Sequence, residues 1–145
     1  MTFTLSPATV ADVPGILDVW YAANGDSKNM QVFVATPGIR EYLAECYTRS
    51  IEEGQGVVMV MAEEAEGEKR RVGAYAKASF EKGGQPPSDW RTRWTAEVPD
   101  TIPTEAVEAF WAAIERQRAE VMGSRAHWCK KPPFLFCSVL VSPSS

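Results

Sequence analysis

The amino-acid sequence predicts an α+β fold, with a mixed, largely antiparallel sheet flanked by helices. Apolar residues recur at helical spacing in three segments, and compact apolar runs typical of strands lie before and between them. The chain has 145 residues, of which 45% are hydrophobic and 23% charged, as in an ordinary globular domain. We therefore expect residues 1–145 to belong to a single domain.

The first elements predicted are a strand and an amphipathic helix. A short alternating stretch begins at Phe3, and apolar residues from Val13 to Tyr21 then follow one helix face. Two starts are open for this helix. Either Thr9 caps it with Asp12 three residues on, or its regular part begins near Asp12 with Pro14 in the first turn.

A second helix and a hairpin come next. Thr36 and Pro37 mark the start of the helix, Ile39 to Ile51 supply its apolar face, and Gly54 ends it. Residues 57–62 and 72–80 read as two strands. The charged residues 63–71 between them are expected to form a solvated hairpin loop.

The region 81–123 is predicted to hold a long loop and an inserted helix. Residues 81–103 contain six glycines and prolines without sustained periodicity, which is typical of a loop. Thr104 then caps a helix whose buried face reaches Val121, and Gly123 stops it. Residues 134–141 are apolar except Ser138, and they predict a fourth strand, buried on both faces.

The cysteines and the histidine give weak signals for chemistry. His127 and Cys129 are two residues apart, and with Cys137 they offer three potential zinc ligands or a thiolate with a base. The sequence has one histidine and no CxxC pair, so we expect neither a metal site nor a Cys/His nucleophile. Cys46 and Cys137 are placed like small core hydrophobes.

The long loop carries a second pattern, in which Trp90, Arg91, Arg93 and Trp94 interleave aromatic and basic groups. Such a pattern can stack on bases or hold an anion, although tryptophans packed on the core are the simpler interpretation.

Charge and hydropathy limit the partners. The formal charge of −4 argues against a protein that binds the nucleic-acid backbone. No apolar run approaches the roughly 20 residues of a transmembrane helix, and no secretory signal is visible, so we expect no membrane partner. A cytoplasmic (or nuclear) location is expected.

The order of these elements resembles the GNAT superfamily of acetyl-CoA-dependent N-acetyltransferases. The opening residues 3–17 are similar to that family's first strand and helix, and residues 72–76 are similar to its third strand. Residues 122–128 resemble the approach to its fourth strand. The resemblance implies an acyl-CoA N-acyltransferase-like fold, acetyl-CoA as co-substrate, and a small-molecule or peptide amine as acceptor.

The resemblance also implies a cofactor-binding segment. The backbone of Val139, Leu140 and Val141 would meet the acetyl and pantetheine part of acetyl-CoA. The family's glycine-rich pyrophosphate loop should follow, but these 145 residues contain no such loop, no GxGxxG and no GxxxxGK[ST]. We therefore expect the N-terminal part of the domain, incomplete at the C-terminus. No catalytic residue is assigned, because no Asp or Glu lies on that strand.

Two alternatives remain open at this point. Instead of an acetyltransferase domain, the chain would be a non-catalytic α+β module that binds a partner protein, or an inactive fragment. If it is a fragment, the edge of the strand at 134–141 is expected to be unpaired, which favours self-association through this open sheet edge.

Overall fold

The fold comes from a computed structural model, which describes residues 2–27, 30–64, 70–82, 84 and 96–130. Three helices follow the first strand, two strands come next, and a last helix precedes the fourth strand; a 3-10 turn at Val10–Asp12 precedes the first helix. The elements are β1 (Thr2–Pro7), α1 (Val13–Asn24), α2 (Gln31–Val34), α3 (Ile39–Glu52), β2 (Val57–Glu64), β3 (Arg71–Glu81), α4 (Thr104–Met122) and β4 (His127–Lys130).

The four strands form one sheet in the order β1-β2-β3-β4, and each neighbouring pair is antiparallel. This confirms the α+β class and the antiparallel sheet. The helix predicted between the third and fourth strands is α4. Its N-cap is Pro103 and Thr104 is its first helical residue, without a side-chain capping bond, so the predicted cap is wrong by one position. Val121, which the prediction places on the buried face, is exposed.

The sequence does not predict the strand β4. It covers His127–Lys130 and pairs with residues 78–81 of β3, whereas the strand predicted at 134–141 stays a prediction. A four-residue strand is too short to show a clear alternation of apolar and polar residues, so the sequence pattern does not reveal it. Pairing with β3 defines it instead, and the rings of Phe80 and Trp128 lie 5.5 Å apart across the ladder. Residues 134–141 lie outside the described part of the chain.

The start of α1 uses both signals that the sequence offers. The Thr9 backbone N–H donates to the Asp12 carboxylate at 2.8 Å, which closes the 3-10 turn. The regular helix then begins at Val13 with Pro14 in its first turn, where the missing N–H of proline costs little.

A glycine shifts the start of the second predicted helix. Gly38 has a φ of 82°, in the left-handed region that glycine tolerates, so α3 begins at Ile39 instead of Thr36. The short α2, which the sequence does not predict, lies just before this break.

The prediction that residues 63–71 form a solvated loop is wrong at both ends. Glu63 and Arg71 belong to the strands and face each other in the β2–β3 ladder. The Glu63 side chain is buried, and its carboxylate accepts hydrogen bonds from the Arg71 guanidinium. Because each charge neutralises the other, the ladder extends through a charged stretch.

The helices cover one face of the sheet, and the core lies between the helices and this face. Among the described residues, no helix is both long and apolar enough to cross a membrane. The main buried apolar residues are Ile16, Leu17, Trp20, Phe33, Leu43, Cys46, Tyr47, Val58, Val60, Ile102, Val107 and Trp111.

Candidate functional site

A cluster of polar side chains lies where the helix-covered face of β3 meets α3. Side chains alternate along a strand, so Tyr75 and Lys77 point to the helices while Ala74, Ala76 and Ala78 point away. In the register of the sheet, Lys77 lies opposite the buried Val58 of β2. A long cationic side chain is thereby placed in the core.

Lys77 is only 1% exposed, and its described contacts are with α3. Its Nζ donates to Ser50 Oγ at 2.5 Å and lies 5.6 Å from the centroid of the Tyr47 ring. Ser50 Oγ in turn donates to the Cys46 carbonyl at 2.7 Å. Burying an ammonium is costly unless its donors are satisfied, and a hydroxyl and an aromatic face both lower that cost.

Two tyrosines extend the cluster. The rings of Tyr47 and Tyr75 meet edge to face with their centroids 5.6 Å apart, and the Tyr47 hydroxyl donates to the Tyr75 hydroxyl at 3.0 Å. Burial raises the pKa of Tyr47 well above its ordinary value, and the neighbouring Tyr75 adds to the shift. Tyr47 is therefore a neutral hydrogen-bond donor throughout the physiological range.

Cys46 and Tyr42 form the other side of the cluster. Burial raises the pKa of the Cys46 thiol, while a hydrogen bond with the Ala96 backbone, another with Tyr42 and the charge of Lys77 act in the opposite direction. Burial also raises the pKa of Tyr42. A buried neutral thiol is a poor nucleophile, so the structure supports the prediction that Cys46 behaves as a core residue.

This arrangement supplies one buried amino group and several hydroxyl groups. All of these groups are buried or half-buried, and their described contacts join β3 to α3. We therefore assign the cluster a positioning role, in which Lys77 holds α3 in register on the sheet. Within the described residues, no group of three or more His, Cys, Asp and Glu side chains is placed to hold a metal ion.

The opposite face of the sheet has a different character. Phe3 and Leu5 of β1, Val57 of β2, Phe80 of β3 and Trp128 of β4 are exposed. The pairing register places them on the face that the helices do not cover. We call this the outer face. Exposed aromatic and aliphatic side chains that lie on one sheet face are typical of interaction surfaces.

Most of the site residues predicted from the sequence lie outside the described part of the chain. These are the expected cofactor-binding residues Val139, Leu140 and Val141, and also Cys137. The pattern formed by Trp90, Arg91, Arg93 and Trp94 lies outside it as well.

His127 and Cys129 belong to β4, but their side chains are not among those described. Within the described part of the chain, the Lys77 cluster contains no residue that the sequence assigned to a site.

The cluster itself was missed by sequence reasoning, although a signal was present. Residues 74–79 alternate between alanine and a larger polar residue, as the letters AYAKAS show. Alternation alone does not show which of the two sets of side chains faces the core. In antiparallel sheets the polar residues usually face solvent, so the alanines would be expected to face the core. Tyr75, Lys77 and Ser79 face inward because α1 and α3 lie on their side of the sheet.

Comparisons with protein-family models, with curated proteins and with solved structures find no match for this chain.

Proposed function

We propose that this chain carries the thioester-binding part of an acetyl-CoA-dependent N-acetyltransferase, an enzyme that acetylates an amine of a small molecule or peptide. Its residues include no glycine-rich pyrophosphate loop, so we expect the 145-residue chain alone to be inactive. In the reaction, the amine nitrogen attacks the thioester carbonyl and a C–N bond forms. The C–S bond breaks, and the thiolate leaves and takes up the proton that the amine loses. Backbone N–H groups aimed at the carbonyl oxygen would stabilise the intermediate.

The order of the sheet is the observation that supports this proposal. Three helices separate β1 from β2, β2 and β3 form a hairpin, and the four strands are neighbours in chain order and antiparallel. Apart from the short α2, this is the order that the resemblance implies for the front part of an N-acetyltransferase. Sheet order supports a fold more strongly than a function, so the proposal needs a test at the cofactor.

The test is an NMR titration of the ¹⁵N-labelled 145-residue chain with S-acetylpantetheine, which carries the thioester but no nucleotide. We expect the amide signals of Val139, Leu140 and Val141 to shift, with a dissociation constant of about 1 mM, or roughly −4 kcal/mol. Adenosine 3′,5′-bisphosphate, which carries the nucleotide phosphates without the thioester, should leave these signals in place. No shift with S-acetylpantetheine overturns the proposal.

Two variants sharpen the titration. Leu140→Pro removes a backbone N–H, while Leu140→Ala keeps the N–H and shortens the side chain. We expect the proline variant to abolish the shifts and the alanine variant to retain them, because the proposed contact is made by the backbone. Equal loss in both variants would mean that the side chain carries the contact, which contradicts the proposed binding mode.

Acetyl-CoA itself is expected to bind this chain weakly. The sequence contains no glycine-rich loop for the pyrophosphate, so calorimetry should show no saturable binding in the micromolar range. A separate assay for released thiol should show no acetylation of added amines. Tight binding would show that a phosphate anchor lies elsewhere in these residues.

One observation favours a second candidate, a non-catalytic module that binds a partner protein. The outer face exposes Leu5, Phe80 and Trp128, as an interaction surface would. These uncharged side chains do not select a particular partner, so the acetyltransferase proposal takes precedence. A chain that fails the S-acetylpantetheine titration while remaining folded would favour this second candidate.

A further inference from the structure

The outer edge of β1 is the side of that strand that faces away from β2. β1 is the last strand in the sheet order, and no described residue pairs with this edge. The six residues Thr2–Pro7 carry no charge, and all but the half-buried Ser6 are exposed. Edge strands are commonly protected by lysines, prolines or bulges, and here only Pro7, at the end of the strand, has that effect.

The backbone groups at this edge can be identified from the ladder. The Ala8 N–H donates to the Val58 carbonyl at 2.8 Å, so even-numbered residues of the β1 segment direct their N–H and C=O groups to β2. Phe3 and Leu5 therefore direct theirs to the outer edge. Pro7 has the same orientation, and there its missing N–H costs no ladder hydrogen bond.

These groups match a second copy of the same strand. If two β1 strands run antiparallel with Phe3 of each opposite Leu5 of the other, every outward N–H and C=O of Phe3 and Leu5 is paired. The same register brings Phe3 and Leu5 together on the outer face and places Thr4 opposite Thr4 on the other face. Apolar pairs and Thr–Thr pairs both stabilise antiparallel ladders, and no like charges meet.

We propose that this chain forms a two-fold symmetric dimer through β1, which joins two four-stranded sheets into one continuous sheet. The partner is a second copy because the apolar and threonine positions are self-complementary about Thr4, as an isologous interface requires. This edge differs from the one predicted beside residues 134–141. The proposal does not depend on acetyltransferase activity.

Sedimentation velocity across a concentration series tests the dimer. The wild-type chain should approach twice its monomer mass as concentration rises. Leu5→Lys places a charge in the centre of the interface twice, so the dissociation constant should rise about tenfold or more. Val121→Lys is the matched control, because Val121 lies on α4 and is 67% exposed, against 69% for Leu5. It should dimerise like the wild type.

Leu5→Pro gives a second measurement that does not rely on charge. It removes an N–H that faces the outer edge and leaves the bonds to β2 in place, so a folded monomer is expected. A wild-type chain that is monomeric at all concentrations overturns the proposal. It is also overturned if Val139→Lys dissociates the dimer while Leu5→Lys does not, because the association would then use the other edge.

Discussion

The two faces of the sheet each depart from the usual pattern of antiparallel sheets. The helix-covered face buries a lysine and Ser79 together with the apolar residues of β2, whereas the outer face exposes Leu5, Phe80 and Trp128. Antiparallel sheets commonly bury apolar side chains on one face and show polar ones to water on the other. Here a few polar groups lie within the apolar core under the helices, and several apolar side chains are exposed on the other face.

This difference separates two kinds of energetic contribution. On the covered face, Lys77 and Tyr47 are held by specific hydrogen bonds, so stability depends on the identity of each group. On the outer face, Phe80 and Trp128 contact each other but remain largely in water. Substitutions on the covered face should therefore affect folding, and those on the outer face should mainly affect association.

The largest expected effect contrasts two tryptophans on opposite sides of the sheet. Trp20 is 1% exposed and Trp128 is 64% exposed. Trp20→Ala should lower the free energy of unfolding by about 3–5 kcal/mol, because it leaves a cavity in the core. Trp128→Ala should cost about 1 kcal/mol or less, mainly the ring contact with Phe80. Urea denaturation followed by circular dichroism measures both, and equal losses would show that the outer face is buried in solution.

The next effect concerns the buried lysine. Lys77→Ala should lower the free energy of unfolding by about 2–4 kcal/mol, because it removes the stem that fills the space between β3 and α3. Lys77→Met keeps that volume and should cost less than about 1.5 kcal/mol. Thermal and urea denaturation of the two variants compares the contribution of the side-chain volume with that of the charge and its hydrogen bonds. If Lys77→Met is as damaging as Lys77→Ala, the charge and its hydrogen bonds dominate, and the cluster does more than fill space.

A smaller effect is expected at alkaline pH. The pKa values of Cys46 and Tyr47 are raised in the folded chain, so both groups lose protons more readily when unfolded. Their stabilising contribution is complete below the ordinary values of 9.0 and 10.0, and it is lost as pH rises above them. The free energy of unfolding should fall from about pH 9 upward.

The double variant Cys46→Ala, Tyr47→Phe removes both groups and serves as the test of this pH dependence. Its curve of unfolding free energy against pH should be shallower above pH 9 than that of the wild type. Unchanged slopes would mean that other groups cause the alkaline loss of stability.

The smallest effect on stability is expected on the outer face. Phe80→Thr should change the free energy of unfolding by about 1 kcal/mol or less, because the ring lies largely in water and contacts mainly Trp128. It should nevertheless reduce the fluorescence of a dye that binds exposed apolar surface. Val10→Thr, which removes an exposed apolar group from the 3-10 turn, is the control and should leave the dye signal nearly unchanged. A large stability loss for Phe80→Thr would contradict an exposed outer face.

The local signals in the sequence located most of the elements. The spacing of Val13, Ile16, Leu17 and Trp20 defines the buried stripe of α1 without reference to the rest of the chain, and these residues are buried. The predicted cap at Thr104 locates the start of α4 to within one residue, although Pro103 is the N-cap. Such features are encoded over a few neighbouring residues, so they can be predicted from sequence.

The candidate site was less accessible to sequence reasoning. The acetyl-CoA segment at Val139, Leu140 and Val141 came from the resemblance and stays a prediction. The cluster around Lys77 was not predicted at all, because Ser50 and Lys77 are 27 positions apart and neither belongs to a motif. Only the packing of α3 against β3 brings them within hydrogen-bond distance.

The sequence by itself determined the α+β class, the apolar helix stripes and the position of the helix between β3 and β4. Hydrophobic periodicity and helix capping act over a few neighbouring residues, so they predict the same elements however these elements pack together. The tertiary structure alone decided that β4 begins at His127, that Glu63 is buried beside Arg71, and that Lys77 faces the core. Each of these features depends on a contact with a residue distant in the chain. Such contacts between strands, or between the sheet and the helices, cannot be predicted from the local pattern of residues.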